Sequence, residues 1–83
     1  MIVHSPKELA LFINSQRKKL KLSQASVADS VGLKQVTISG FENKPEGTKL
    51  ETLFRILSAV GLDLRIDPKN DSLGKQKQWE EEW

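Results

Sequence analysis

The sequence predicts an all-α chain, a compact bundle of four to five short helices followed by one short β-strand and a polar tail. Three observations carry that reading. Apolar residues recur at spacings of three, four and seven in successive stretches between Leu9 and Val60. Capping residues open these stretches and glycines or turn formers close them. Period-two alternation occurs once, over Leu62–Asp67. A chain of 83 residues supports one core, burying roughly two thirds of the surface that its unfolded form exposes.

The first helix is announced by Ser5-Pro6-Lys7-Glu8, a serine cap, a proline at the first helical position and a glutamate placed to close a capping box. Leu9, Phe12, Ile13, Gln16 and Leu20 then form its inner face, which projects the Arg17–Lys19 cluster partly outward. Ser23 caps a shorter second helix lined by Val27, Ala28 and Val31. Gly32 ends it, because glycine takes the left-handed backbone conformation of a helix terminus without a Cβ clash. The third helix runs from about Lys34 to Glu42, with Ile38 and Phe41 on one side and Gln35, Val36, Ser39 and Gly40 on the other. Asn43-Lys44-Pro45-Glu46-Gly47 is expected to be a loop. Thr48 and Glu51 read as a second capping box opening a fourth helix, in which Leu50, Leu53, Phe54 and Leu57 repeat and Ile56 and Val60 broaden the stripe. So wide an apolar face can serve the core on one side and a partner subunit on the other.

After Gly61, Leu62, Leu64 and Ile66 alternate with Asp63, Arg65 and Asp67 up to Pro68. A single strand leaves its backbone groups without an intrachain partner, so pairing with the same strand of a second copy is expected. From Pro68 onward the chain is polar and is expected to be a flexible tail, ending in Trp79 and Trp83 around Glu80–Glu82. The expected organisation is a domain over 1–67, with a dimer strand at 62–67, and a tail over 68–83.

Composition narrows the function. There is no cysteine and the one histidine, His4, has no ligand at metal spacing, so no metal site is expected. The absence of a disulfide framework, of an apolar run near the roughly 20 residues that cross a bilayer and of a secretory signal pattern points to the cytoplasm, with no membrane partner. No nucleophile, base and acid arrangement and no phosphate-binding glycine loop is present, so no catalytic residue and no cofactor is expected; the chain does not read as an enzyme. Net charge is +2, but five basic residues lie between Lys7 and Lys21 against Glu8 alone, a distribution that suits a nucleic-acid partner. Arg17, Lys18, Lys19 and Lys21 are read first as solubilising charge, with phosphate contact as the alternative.

The stretch from Gln24 to Phe41 has what two closely crossing helices need: small Ala28 at the contact, Gly32 at the turn, and Val27, Val31, Leu33, Ile38 and Phe41 as the wedge between them. Through Ser23-Gln24-Ala25-Ser26-Val27-Ala28, Gly32-Leu33 and Gln35-Val36-Thr37-Ile38-Ser39-Gly40-Phe41-Glu42, the chain resembles the Cro/repressor-type (XRE-like) helix-turn-helix family, whose bundle is of the lambda-repressor-like type. Through Leu50-Glu51-Thr52-Leu53-Phe54-Arg55-Ile56-Leu57 and Gly61-Leu62-Asp63-Leu64 it is particularly similar to HipB-type antitoxins, which it also matches in ending with tryptophan.

The resemblance implies a homodimer that represses its own operon by binding double-stranded DNA at an inverted-repeat operator, that binds a HipA-like kinase toxin, and that is bacterial and nucleoid-associated when on the operator. It also implies that the third helix enters the major groove. Gln35 would then read adenine with a bidentate amide, Lys34 would reach guanine acceptors or a phosphate, Val36 would touch a thymine methyl, and Ser39 would bond a base edge or phosphate. Ser23, Gln24 and Thr37 are placed to anchor phosphates. Trp83 is expected to bind the protein partner, since an exposed indole favours a partner's pocket. Two alternatives stay open: a free-standing Cro-type regulator without a toxin, and an interaction adaptor that keeps the frame without binding DNA.

Overall fold

The computed structural model describes residues 2–69, which form four α-helices and one 3-10 turn. The first helix, α1 (Pro6–Lys19), starts where Ser5 Oγ accepts the Glu8 N–H at 3.1 Å. The expected box closes one residue early, because the Glu8 carboxylate accepts from the His4 N–H at 2.7 Å. Ser23 Oγ likewise accepts the Ser26 N–H at 3.0 Å and opens α2 (Gln24–Ser30). The outer helix α3 (Gln35–Asn43) and the last helix α4 (Leu50–Ala59) have no side-chain cap. The Thr48–Glu51 capping box is therefore a correction: Lys49 takes the cap position, which leaves Glu51 one residue short of the site from which it could reach back, 3.8 Å from Arg55 instead. The loop expected at 43–47 is also tighter than its composition suggested. Asn43 completes α3, and Pro45–Gly47 is a 3-10 turn that packs on α1 and α3.

Three helix ends share one closing device. After α1, α2 and α4, the N–H of a leucine two residues past the cap returns to a carbonyl in the last turn: Leu22 to Arg17 at 3.0 Å, Leu33 to Ala28 at 2.9 Å and Leu62 to Leu57 at 2.9 Å. Each leucine then packs on the core. This closure requires a left-handed residue just before the leucine. Gly32 (φ 70°) and Gly61 (φ 71°) fill that place after α2 and α4, but Lys21 (φ 60°) fills it after α1, at a cost of about 1 kcal/mol or more for a residue with a Cβ.

The core lies between the helices and consists of Ala10, Ile13, Val27, Ala28, Ile38, Phe41, Ile56, Leu57 and Val60, all buried. Within it α2 packs chiefly on α3, and α4 packs on α2. Leu50 and Phe54 of α4 face outward, 71% and 51% exposed, so the wide stripe is split between core and surface. No helix among the described residues is long and apolar enough to cross a membrane.

Leu62–Asp67 is not a strand in the described structure. A ladder needs a second row of backbone groups alongside, and the segment has no such neighbour there; Leu64 (45% exposed) and Ile66 (85%) project apolar surface. Trp79, Glu80–Glu82 and Trp83, with the rest of the expected tail beyond residue 69, lie outside the described residues.

Candidate nucleic-acid interface

One side of α3 is given to the core and the other to solvent. Ile38 and Phe41 are buried, whereas Lys34, Gln35, Val36, Gly40 and Asn43 are exposed and Thr37 and Ser39 half-buried. Val36 is 71% exposed, an apolar side chain projecting from a row of polar ones. Gln35 makes no side-chain hydrogen bond among the described residues, so both ends of its amide are available. Of the four residues expected to read bases, Gln35, Val36 and Ser39 therefore lie on the outer side of α3 and Lys34 stands at its N-cap. Asn43 extends the row: it lies four residues after Ser39 and its Nδ2 donates to Ser39 Oγ at 3.2 Å. Asn43, expected in the 43–47 loop, is thus the last residue of α3, and its i+4 spacing from Ser39 is the sequence signal for that placement.

Behind that face sits a buried polar cluster. Glu42, at the inner side of α3, accepts Arg17 Nε at 2.7 Å and Nη2 at 3.1 Å, Asn14 Nδ2 at 2.8 Å and Gln24 Nε2 at 3.0 Å. Arg17 Nη1 also donates to the Leu22 carbonyl at 2.8 Å. One carboxylate thus ties α1, the start of α2 and the end of α3 together. The side chains of Arg17 and Glu42 are 11% and 8% exposed. Burial is the largest single influence on the Glu42 carboxyl and pushes its pKa up. The hydrogen bonds from Arg17, Gln24 and Asn14, with the Arg17 charge, outweigh it and hold the pKa below the usual value.

Two expectations change here. Arg17 is not an outward solubilising charge; it follows Ile13 by four and Ala10 by seven, which is the buried register of α1, and it enters the interior because Glu42 neutralises it. Gln24 is half-buried, with one amide hydrogen committed to Glu42. Of the other residues expected to anchor phosphates, Ser23 is exposed, its hydroxyl oxygen accepting the cap bond while its hydrogen stays free to donate. The half-buried Thr37 lies in the first turn of α3.

A seven-residue helix closed by a left-handed glycine, then a nine-residue helix with a buried inner and an exposed, mostly polar outer side, defines a helix-turn-helix protein. The sequence matches the helix-turn-helix family over residues 13–66, and the chain belongs to that family, in its HipB-like branch. Antitoxin HipB of Escherichia coli strain K12 is 38% identical over 82 residues, covering 98% of this chain and 93% of that one. A similar backbone occurs in a chain of the HipA-HipB-O2-O3 complex, at TM-score 0.82 and 34% identity, over 84% of this chain and 99% of that one. The HipB-O4 20mer complex gives the same TM-score, identity and coverage.

Proposed function

We propose that this protein is a dimeric, sequence-specific DNA-binding repressor of the HipB antitoxin kind, which controls its own operon and holds a HipA-like kinase toxin. The observation that carries the reading is the outer side of α3, where Lys34, Gln35, Val36 and Ser39 stand exposed or half-exposed on a helix whose other side is locked into the core. The HipB relatives, seen with HipA in one complex and with a 20mer in another, support it.

In this reading α3 lies in the major groove. Gln35 pairs bidentately with adenine, Lys34 takes guanine O6 and N7 or a phosphate, Val36 packs on a thymine methyl, and Ser39 bonds a base edge or phosphate. The Ser23 hydroxyl, the second amide hydrogen of Gln24 and the Thr37 hydroxyl anchor phosphates and set the register. Two copies join through Leu50 and Phe54 of α4 and through residues 62–67, whose unpaired backbone would complete a two-stranded ladder across the twofold axis. The division into a domain at 1–67 and a tail at 68–83 belongs to the same reading, with Trp83 as an auxiliary anchor for the kinase.

The test has two arms. Fluorescence anisotropy with the duplex upstream of the protein's own gene, against a random duplex, should show preference for the former. Co-purification with the neighbouring gene product should succeed for the full chain and weaken for Trp83→Ala, while truncation after Asp67 leaves DNA binding intact. Equal affinity for both duplexes would refute sequence-specific repression, and equal capture by all three chains would remove the anchor role from Trp83.

A further inference from the structure

We infer that Lys21 is a DNA-backbone contact, kept at a turn where glycine would fold better; the inference rests on the DNA-binding reading above. Its first support is a comparison the chain makes with itself. Three helix ends use the same closure and need a left-handed residue at the same place, and two of them have glycine, Gly32 and Gly61. Lys21 adopts the same conformation, at φ 60°, against the steric preference of any residue with a Cβ. Closing the turn does not call for a lysine there, which points to a use for its side chain.

Its second support is that the charge is unspent. Lys21 is exposed, and neither it nor its neighbours Lys18 and Lys19 takes part in an ion pair among the described residues. The third is placement. Residues on both sides of Lys21 are fixed to the end of α3: before it Arg17 bonds Glu42 directly, and after it Leu22 is held through its carbonyl by Arg17 and Gln24 bonds Glu42. Asn43, the last residue of the exposed row of α3, follows Glu42 in the chain. The buried cluster thus holds the α1–α2 turn, on which Lys21 is exposed, against the end of the DNA-facing helix. An ammonium on a long stem, adjoining a groove-facing helix but outside the groove, suits a phosphate and carries no base information.

The experiment compares the full-length protein with Lys21→Gly and Lys21→Arg, by thermal melting and by anisotropy titration at several salt concentrations, on the upstream duplex and on a random duplex. Lys21→Gly should melt about 4 °C higher, because the backbone penalty is gone. It should also bind both duplexes about 5- to 10-fold more weakly per protomer near 0.1 M salt, with the salt slope smaller by about 0.9 per protomer. Lys21→Arg should keep the original affinity, slope and melting temperature. An unchanged salt slope for Lys21→Gly would overturn the inference, and so would a melting temperature that fails to rise, since the lysine would then cost nothing. If the unsubstituted protein bound neither duplex, the functional reading itself would fall and take the inference with it. Binding by the unsubstituted protein with no change in Lys21→Gly would fell the inference alone.

Discussion

Replacing Glu42 with alanine removes the acceptor shared by Arg17, Asn14 and Gln24 and strands the Arg17 guanidinium in the interior with only the Leu22 carbonyl. At 11% and 8% side-chain exposure the pair belongs to the buried regime, where deleting one partner costs about 3–5 kcal/mol, and not to the surface regime of about 0–1 kcal/mol. A domain of this size is stable by only about 3–10 kcal/mol, at about 0.05–0.15 kcal/mol per residue. Glu42→Ala should therefore remove a large part of the total. Adding Arg17→Met takes away the stranded charge and should restore about 2 kcal/mol or more of that loss. Urea unfolding followed by circular dichroism of the unsubstituted protein, Glu42→Ala, Arg17→Met and the double variant gives the coupling directly. The same pair sets an acid limit. Because the folded Glu42 pKa lies below the usual 4.5, its contribution is complete above that value and is lost as the pH falls through the folded pKa. The melting temperature should decline in that window for the unsubstituted chain and less so for the double variant. A single-variant cost under about 1 kcal/mol, or a double variant no more stable than Glu42→Ala, would refute the description of this cluster as a buried, mutually dependent unit.

Further expectations follow from the two kinds of glycine and from the exposed apolar segment. A Cβ at Gly32 meets nothing within 4 Å but stands at φ 70°, so Gly32→Ala should lower stability by about 1 kcal/mol through the backbone alone. Gly40 has the same open surroundings but lies inside α3, so Gly40→Ala should raise stability by about 0.5–1 kcal/mol in the same melts. If 62–67 pairs across a dimer, placing a charge at an apolar position with Ile66→Asp should shift light scattering from dimer to monomer at tens of micromolar, an order of magnitude at which such interfaces are normally populated. An unchanged dimer would move the interface elsewhere.

Much of this molecule was legible in the sequence because its rules are local. Ser5 and Ser23 cap helices where a short hydroxyl side chain meets free N–H groups, Gly32 and Gly61 mark left-handed ends, and the alternation of Ile38 and Phe41 with Gln35, Val36 and Ser39 separates the two sides of α3. What escaped depends on contacts between elements. Arg17 reads as surface charge until Glu42, 25 residues away, is brought against it. Thr48 and Glu51 carry the residue types of a capping box, but the preceding 3-10 turn sets the start of α4 one residue later. Lys21 is invisible as a left-handed residue because no property of lysine favours that conformation; only the Leu22 N–H closing on Arg17 imposes it. The alternation at 62–67 is real, yet whether alternation becomes a strand is decided by a neighbour outside the single chain.

The central claim, that the exposed side of α3 reads DNA sequence, is tested most directly by titrating the unsubstituted protein and Gln35→Ala against the upstream duplex and a random one at fixed salt. Gln35 is exposed and makes no side-chain hydrogen bond among the described residues, so its loss should leave the melting temperature unchanged. The account predicts that Gln35→Ala loses about 1–3 kcal/mol per half-site on the upstream duplex, about 5- to 150-fold in affinity per half-site, while binding the random duplex as before. Equal weakening on both duplexes, or no preference by the unsubstituted protein, would contradict it.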